Sequence, residues 1–268
     1  MEKKKGVVAK HQELDHYKKA YGKSLKFRDY IKNVLFPFAY GGGITLLMLH
    51  NFWIALLIGG IYGIYGYRIL LPKNVFRFYN HEAYIQRNRL LNNLTQILAD
   101  PNISWYHALE IVVEQIQGEL KDDLYQLIAS LYSASENERI QLFQKFQEKH
   151  EEDKVFGMYV DQLSIISIEG RTTIDMFRDI NSFHNQLKAK QLDFIRLKLK
   201  VLRQIEFAIG LIVGILMLLH YYPLGLKGYE EAFANQFFGV IVCSLFLVLS
   251  SLILHKACIS YFDDKIME

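Results

Sequence analysis

The stretch Val34–Tyr67 reads VLFPFAYGGGITLLMLHNFWIALLIGGIYGIYGY, with no Asp, Glu, Lys or Arg in it and only His50-Asn51 to interrupt the apolar run. The hydrocarbon core of a bilayer is about 30 Å thick and is spanned by about 17 to 25 apolar residues in a helix. A single helix of this length would overshoot it. The stretch therefore predicts a hairpin of two slightly short arms, Val34–Leu49 and Phe52–Tyr67, turning at His50-Asn51. Gly41, Gly42 and Gly43 lie in the first arm, and Gly59, Gly60, Gly63 and Gly66 in the second. Gly59 and Gly63 have the four-residue spacing of small residues that lets membrane helices approach closely. Such a face serves either packing within the chain or dimerisation.

A second apolar pair, Ile205–Tyr222 and Gln236–His255, follows far downstream, with Glu206 at the edge of its first member. The mean hydropathy of the 268 residues, +0.07, averages these four stretches with a charged remainder. The expected fold is an all-α membrane protein: four transmembrane helices in two hairpins flanking one cytoplasmic helical bundle of about six helices. Its parts are a basic cytoplasmic segment at 1–33, a transmembrane hairpin at 34–70, the bundle at 71–204, the second pair with a short external loop at 205–256, and a cytoplasmic tail at 257–268. The amino-terminal stretch lacks the small-residue cleavage site of a signal peptide and is expected to stay on the protein.

Lys and Arg beside the spans set orientation. Residues 1–33 carry Lys3, Lys4, Lys5, Lys10, Lys18, Lys19, Lys23, Lys26, Arg28 and Lys32. Arg68, Lys73 and Arg77 open the middle segment, and Lys188, Lys190, Arg196, Lys198, Lys200 and Arg203 close it. The turn at His50-Asn51 has no basic residue, and the loop Pro223–Asn235 has only Lys227 against Glu230 and Glu231. The amino terminus, bundle and tail are thus expected in the cytoplasm of a cell with the protein in its inner membrane. The six basic residues from Lys188 to Arg203 are expected at the membrane surface, where each such charge attracts anionic lipid by about 1 kcal/mol. Nucleic-acid binding by the Lys-rich start is not expected, because no reader fold or basic-aromatic platform accompanies it.

The middle segment has helical spacing throughout. Leu90, Leu91, Leu94, Ile97 and Leu98 share one face, as do Ile174, Phe177, Ile180, Phe183, Leu187 and, past a gap, Phe194. Asp100-Pro101-Asn102 marks a turn, with Ser104 as N-cap of a helix Trp105–Gln117 that Gly118 ends. A short helix Glu119–Tyr132 follows. Ser135 and Glu138 form a capping box opening Glu136–His150. Lys154–Ile168 stops at Glu169-Gly170, and Thr172 or Thr173 starts a helix with no breaker before Pro223.

Motifs of catalysis are incomplete. Gly22-Lys23-Ser24 resembles the end of a phosphate loop, but its distal glycine position is Tyr17 and no strand precedes it. His81-Glu82 and His150-Glu151 would need a second histidine where Ile85 and Lys154 stand. Glu151-Glu152-Asp153 is an acidic run at a helix junction, a solvated cap by its composition. Cys243 and Cys258 have no metal or disulfide spacing. No acid or base stands inside a span, as ion pathways require. The chain is expected to have no enzymatic activity, no cofactor and no metal.

Hairpin, helical domain and second pair, in that order, resemble the inner-membrane proteins of Tad pili, which carry the type II secretion system F domain. Leu90–Leu98 (LLNNLTQIL) looks like the first helix of that domain, followed by a turn and the Ala108-Leu109-Glu110 helix. Ile166–Phe177 (ISIEGRTTIDMF) occupies the place of the family's Glu-Thr-Gly-Gly turn: Glu169 fits, Gly170 is displaced by one, and Arg171 departs from the pattern. The resemblance implies a non-catalytic platform whose cytoplasmic domain faces a hexameric secretion ATPase. It also implies assembly with a second platform protein or with itself, and transfer of pilin subunits from the bilayer into a filament. Glu169, Gly170, Arg171 and Thr172 are the expected partner-binding turn. The alternative is a membrane-anchored sensor or regulatory protein whose bundle binds a soluble partner.

Overall fold

The computed structural model describes residues 13–21, 24–170, 174–222 and 225–262. Among the described residues every regular element is helical. In chain order they are α1 (13–19), α2 (Phe27–Tyr30), α3 (Phe36–Leu49), α4 (Phe52–Tyr65), α5 (Leu71–Leu98), α6 (Trp105–Val113), α7 (Glu119–Leu131), α8 (Glu136–Glu148), α9 (Lys154–Glu169), α10 (Ile174–Tyr221), α11 (Gly225–Tyr229) and α12 (Phe237–Phe262). Short π-helical turns at Ile31–Leu35, Gly66–Leu70 and Glu230–Ala234 join neighbouring helices. The chain divides into two units: residues 1–24 with 78–192, and residues 25–77 with 193–268.

The first unit is a helical bundle. Its core gathers Leu90, Leu91, Leu94 and Leu98 of α5, Leu109 and Val112 of α6, Leu120 and Leu124 of α7, Phe143 of α8, Phe156 and Tyr159 of α9, and Phe177 and Ile180 of α10. The residues that start and stop these helices act locally. Ser104 Oγ accepts the His107 N–H (3.2 Å) at the start of α6. The Glu138 carboxylate accepts the Ser135 N–H (2.8 Å) at the start of α8, satisfying a donor the helix leaves free. α6 ends four residues before the expected Gln117. Ile116 turns into the core and the Gln117 N–H goes to Gln86 Oε1 (3.2 Å), so side-chain burial outbids continuation of the helix. On α10, Phe183 is exposed and His184 is fully buried in its stead. The helical stripe runs Phe177, Ile180, His184, spaced three and four, and an aromatic one position earlier points about 100° away.

Residues 13–21, part of the basic segment expected at 1–33, pack in this unit. Tyr17 meets Tyr79 edge-on and Tyr21 lies tilted against it, with ring centroids 5.2 and 5.5 Å away. Gly118 makes this possible: its φ of +74° suits glycine, and a Cβ there would lie 2.5 Å from the Ala20 carbonyl oxygen.

The second unit holds the apolar helices. His50, with φ +50°, ends α3 in the left-handed region, and Asn51 caps α4 by accepting the Trp53 and Ile54 N–H groups. α3 and α4 pack as a hairpin. At their crossing a Cβ on Gly59 would sit 3.1 Å from the Phe38 carbonyl oxygen and 3.3 Å from Gly42 Cα, so the backbones meet because no side chain intervenes. Ile44, Met48 and Leu49 of α3 form a small core with Cys243 and Leu247 of α12. Tyr65 Oη bonds His255 Nδ1 (2.6 Å), and Tyr62 Oη meets Ser251 Oγ. At the hairpin tip Tyr229 Oη donates to the Met48 carbonyl (3.0 Å) and His50 Nδ1 pairs with Glu230 Oε1 (2.9 Å). Past the hairpin's other end, the Arg77 guanidinium stacks on Tyr261 at 4.0 Å.

Among the described residues three helical segments are long and apolar enough to cross a membrane: Phe27–Leu49 (23 residues), Phe52–Leu98 (47 residues, continuous through the turn at Gly66–Leu70) and Phe237–Phe262 (26 residues). Leu56, Leu57, Ile61 and Ile64 of α4 and Leu245, Val248, Leu249 and Leu252 of α12 are exposed. Apolar surface on this scale is what a bilayer covers and water does not. These are features of a membrane protein. The fourth expected span, Ile205–Tyr222, lies in α10, and its side chains at 206, 213, 217 and 219–221 fall outside the described residues.

Gly59→Val should destabilise the hairpin by about 1–3 kcal/mol through overpacking. Gly60→Val, where an added Cβ meets no atom within 4 Å, should change it little. Thermal unfolding in detergent compares the two, and equal midpoints would refute the close crossing.

Candidate functional site

Glu169 is the last residue of α9 and is exposed. Gly170 follows in the left-handed conformation (φ +67°), its N–H bonded to the Ile166 carbonyl (2.9 Å), and closes the helix. Arg171 and Thr172, the rest of the expected partner-binding turn, lie outside the described residues.

Beside this turn, α8 and α9 leave a groove on the bundle surface. A hollow of about 300 Å³ is lined by Ile140, Phe143, Gln144, Asp161, Ser164, Ile165 and Ile168. A second, of about 290 Å³, shares Asp161 and is lined further by Glu148, Glu151, Lys154 and Met158 among others. Ile165 and Ile168 are exposed, as is Met158. α9 is thus apolar on two faces. Phe156, Tyr159, Val160 and Leu163 point into the core, while Met158, Ile165 and Ile168 form a second line of apolar residues facing solvent. Arg139 holds the two helices together near the turn by donating Nη1 to the Ser167 carbonyl (2.9 Å). The groove has an apolar floor, an acidic edge and no enclosed chamber. It suits a polypeptide segment better than a small molecule. The sequence signal for it was the double apolar character of α9, which helix spacing alone assigns wholly to a core.

Under the surface the bundle carries a buried polar network that sequence reasoning missed. Asp153 Oδ1 accepts the Phe156 N–H (3.0 Å) as N-cap of α9. Its Oδ2 accepts from Arg87 Nε (3.0 Å) on α5 and from His184 Nε2 (3.2 Å) on α10. The Asn88 amide faces His184 Nδ1 (3.0 Å), which leaves the ring proton on Nε2. Tyr84 stacks on the ring at 4.8 Å. Of the acidic run, Glu151 and Glu152 are solvated, but Asp153 is buried, because its cap position faces inward where Arg87 and His184 wait. Burial alone would raise the Asp153 pKa; the His184 hydrogen bond, then the Arg87 charge, hold it below the usual carboxylate value.

The basic residues expected at a membrane surface divide. Lys188 is half-buried and donates to Asn88 Oδ1 (2.6 Å), extending the network. Lys190, Lys200 and Arg203 are exposed, Arg196 pairs with Asp193 (3.3 Å), and Lys198 lies 4.3 Å above the Phe194 ring. Gly59 and Gly63 are both buried in the hairpin, with Gly63 against Phe38.

Over 266 residues, 99% of this chain and 95% of the other, the sequence is 33% identical to the uncharacterized protein pXO2-23 of Bacillus anthracis. The chain belongs to the family of that protein. No family model and no solved structure matches it.

His150 sets the acid limit of the bundle. Its ring meets Phe146 and Phe156 edge-on, and its Nε2 is buried without a hydrogen bond, the nearest Asp123 oxygen being 3.6 Å away. Burial, then the Arg87 charge, push its pKa from 6.5 down to about 4, against the pull of Asp123 and Glu119. A depressed pKa means that the unfolded chain takes up the proton first. The contribution is therefore full above pH 6.5 and is lost as pH falls toward 4, by about 2–3 kcal/mol in all. Hydrogen-exchange protection of α9 amides should fall over that window and should hold level in His150→Phe.

Proposed function

We propose that this chain is a non-catalytic platform protein of a type IV-like pilus or secretion machine. In this role it sits in the cell membrane and couples a cytoplasmic hexameric ATPase to the assembly of pilin subunits. The observation that carries the proposal is α10. This single helix of 48 residues lends Phe177 and Ile180 to the bundle core and continues unbroken into an apolar carboxyl half. At 1.5 Å per residue it is about 72 Å long. A partner that tilts or turns the bundle can act through such a helix on the bilayer. Hairpin, helical domain and second apolar pair also stand in the order of the Tad platform plan.

Packing within each unit supports four crossings. Residues 13–21 pack with the bundle in one unit, which favours a hairpin that returns to the side from which it entered. In the other unit Tyr229 and Glu230 meet the hairpin tip at Met48 and His50, while Tyr261 meets Arg77 beyond its base. α12 therefore runs from the tip side back to the base side, which supports a further crossing in the apolar half of α10. The basic residues at 1–33 and beside Arg77 favour the cytoplasm for the bundle side.

The α8–α9 groove and Glu169 supply the contact surface for the ATPase, the exposed basic side chains Lys190, Lys200 and Arg203 of α10 reach anionic headgroups, and a second platform subunit completes the assembly. Full-length protein extracted in mild detergent should recover a hexameric nucleotide-hydrolysing partner. Glu169→Lys or Ile165→Glu, both at exposed positions, should cut that recovery about tenfold or more, as loss of an interface anchor does. Unchanged recovery would remove the groove from the interface, recovery of a different soluble partner would favour a sensor, and nucleotide hydrolysis by the protein alone would end the platform assignment. Topology is checked separately in intact cells. Cysteines placed at His50 and Gly228 should react with an impermeant maleimide and one at Ser135 should not.

A further inference from the structure

Between the bundle and the apolar half of α10, the helix is exposed around most of its circumference. Phe194, Leu197 and Val201 are 38%, 63% and 54% exposed, and Gln204 is exposed in line with them. They stand among Asp193, Arg196, Lys198, Lys200 and Arg203, in the part of the helix that precedes the apolar run. Spaced alternately three and four residues apart, they form one seam. The same alternation continues through Ala208, Leu211, Ile215 and Leu218, all exposed. A second line, about a third of a turn away, behaves differently, although Leu199 beyond it is exposed as well. Ile195, Leu202 and Ile209 are half-buried, and Leu216, at the same seven-residue interval, packs on the Ile44–Cys243 core.

A stripe of apolar residues repeating every 3.5 positions over more than three heptads matches the seam of two supercoiled helices. Lipid accounts for the exposure of Leu211, Ile215 and Leu218. It does not account for Phe194, Leu197 and Val201 among five charges, where water would otherwise meet them. We propose that α10 pairs in parallel with α10 of a second copy of this chain through the seam from Phe194 to Leu218. The occupant is fixed by geometry and charge. Two copies inserted the same way in one bilayer bring their α10 helices together parallel and in register. With Phe194 and Leu197 as the inward positions, Asp193 and Lys198 take the flanking places that face each other across a parallel pair, with opposite charge. In the single chain Asp193 pairs with the exposed Arg196 of its own helix at 3.3 Å. Gln204, the one polar member of the seam, carries both an amide donor and an acceptor and so can bond its own counterpart; a polar seam residue of this kind selects register.

This inference rests on the membrane-anchored reading and is independent of the ATPase, so its test requires no other protein. Cys243→Ala and Cys258→Ala remove the native thiols from the full chain. Single cysteines replacing Phe194, Arg196, Leu197, Leu199, Val201, Arg203 and Gln204 are then oxidised in native membranes. Phe194→Cys, Leu197→Cys, Val201→Cys and Gln204→Cys should form disulfide-linked dimers, and Arg196→Cys, Leu199→Cys and Arg203→Cys should form several-fold fewer. Asp193→Lys and Lys198→Asp should each lower the dimer fraction of the Val201→Cys protein, by about threefold for one exposed pair, and the two together should restore it. Uniform cross-linking, none at any position, or a maximum at Leu199 would overturn the pairing.

Discussion

A carboxylate taken out of water must be met by donors on every side, and Asp153 is the point where the bundle satisfies that demand. Its two oxygens draw on three helices: the α9 amide of Phe156, Arg87 of α5 and His184 of α10. Removing one partner of such a buried set typically costs about 3–5 kcal/mol, whereas an apolar contact of equal area tolerates a shift of register. The apolar core here is made largely of leucine, isoleucine and phenylalanine, which pack in many arrangements. The network is what selects one. It fixes the rotation of α10 about its axis, so that Phe177 and Ile180 face inward, and it fixes where α9 begins. The Asn88, Asn92 and Asn185 amides extend the same constraint along α5 and α10.

How much of this can be read from residues in a row depends on the range of the forces involved. Ser104, the Ser135–Glu138 pair and Gly170 act within four residues of themselves, and each marks its helix end where local chemistry says it should. The hairpin is legible for a different reason. Bilayer thickness is an external ruler, and His50-Asn51 is the only polar pair in a run too long for one crossing. What local chemistry cannot supply is the far partner. Asp153 reads as a solvated cap because its neighbours Glu151 and Glu152 are acidic, and nothing nearby in sequence announces Arg87 or His184. The same blindness favoured Phe183 over His184. An aromatic outranks a histidine for burial in the absence of partners, and Asn88 and Asp153 reverse that order. The α8–α9 groove was hidden because helix periodicity assigns every apolar residue of α9 to a core, while the bundle has room for one face only.

The short polar contacts of the membrane unit follow from the solvent rather than from the fold. Tyr62, Tyr65, Thr45 and Ser251 all lie on helices whose outward faces are apolar. Each turns its hydroxyl inward, to a carbonyl or to a neighbouring side chain. In hydrocarbon an unpaired hydroxyl has no water to fall back on, so these groups mark which faces of α3, α4 and α12 point at one another. Glycine completes the arrangement, since Gly42 and Gly59 bring the α3 and α4 backbones to a separation that dispersion alone can hold.

On the proposed reading α10 passes through three surroundings, and its composition changes along its length while its apolar spacing does not. In the bundle a single stripe suffices, because one face is packed and the others meet water. From Phe194 onward the helix keeps apolar residues on two sides, although charges still fill the positions between them. One of those sides has its own unit to lean on, as Leu216 does. The other has nothing packed on it among the described residues. If lipid were the only reason for it, the stripe would begin where the charges end, near Ile205. It begins instead at Phe194, eleven residues earlier, or about 16 Å along the helix axis. On the proposed reading, a helix that carries a seam through water before it reaches the bilayer is built to meet another helix there, and in a membrane the neighbour that always arrives in the same orientation is a copy of itself.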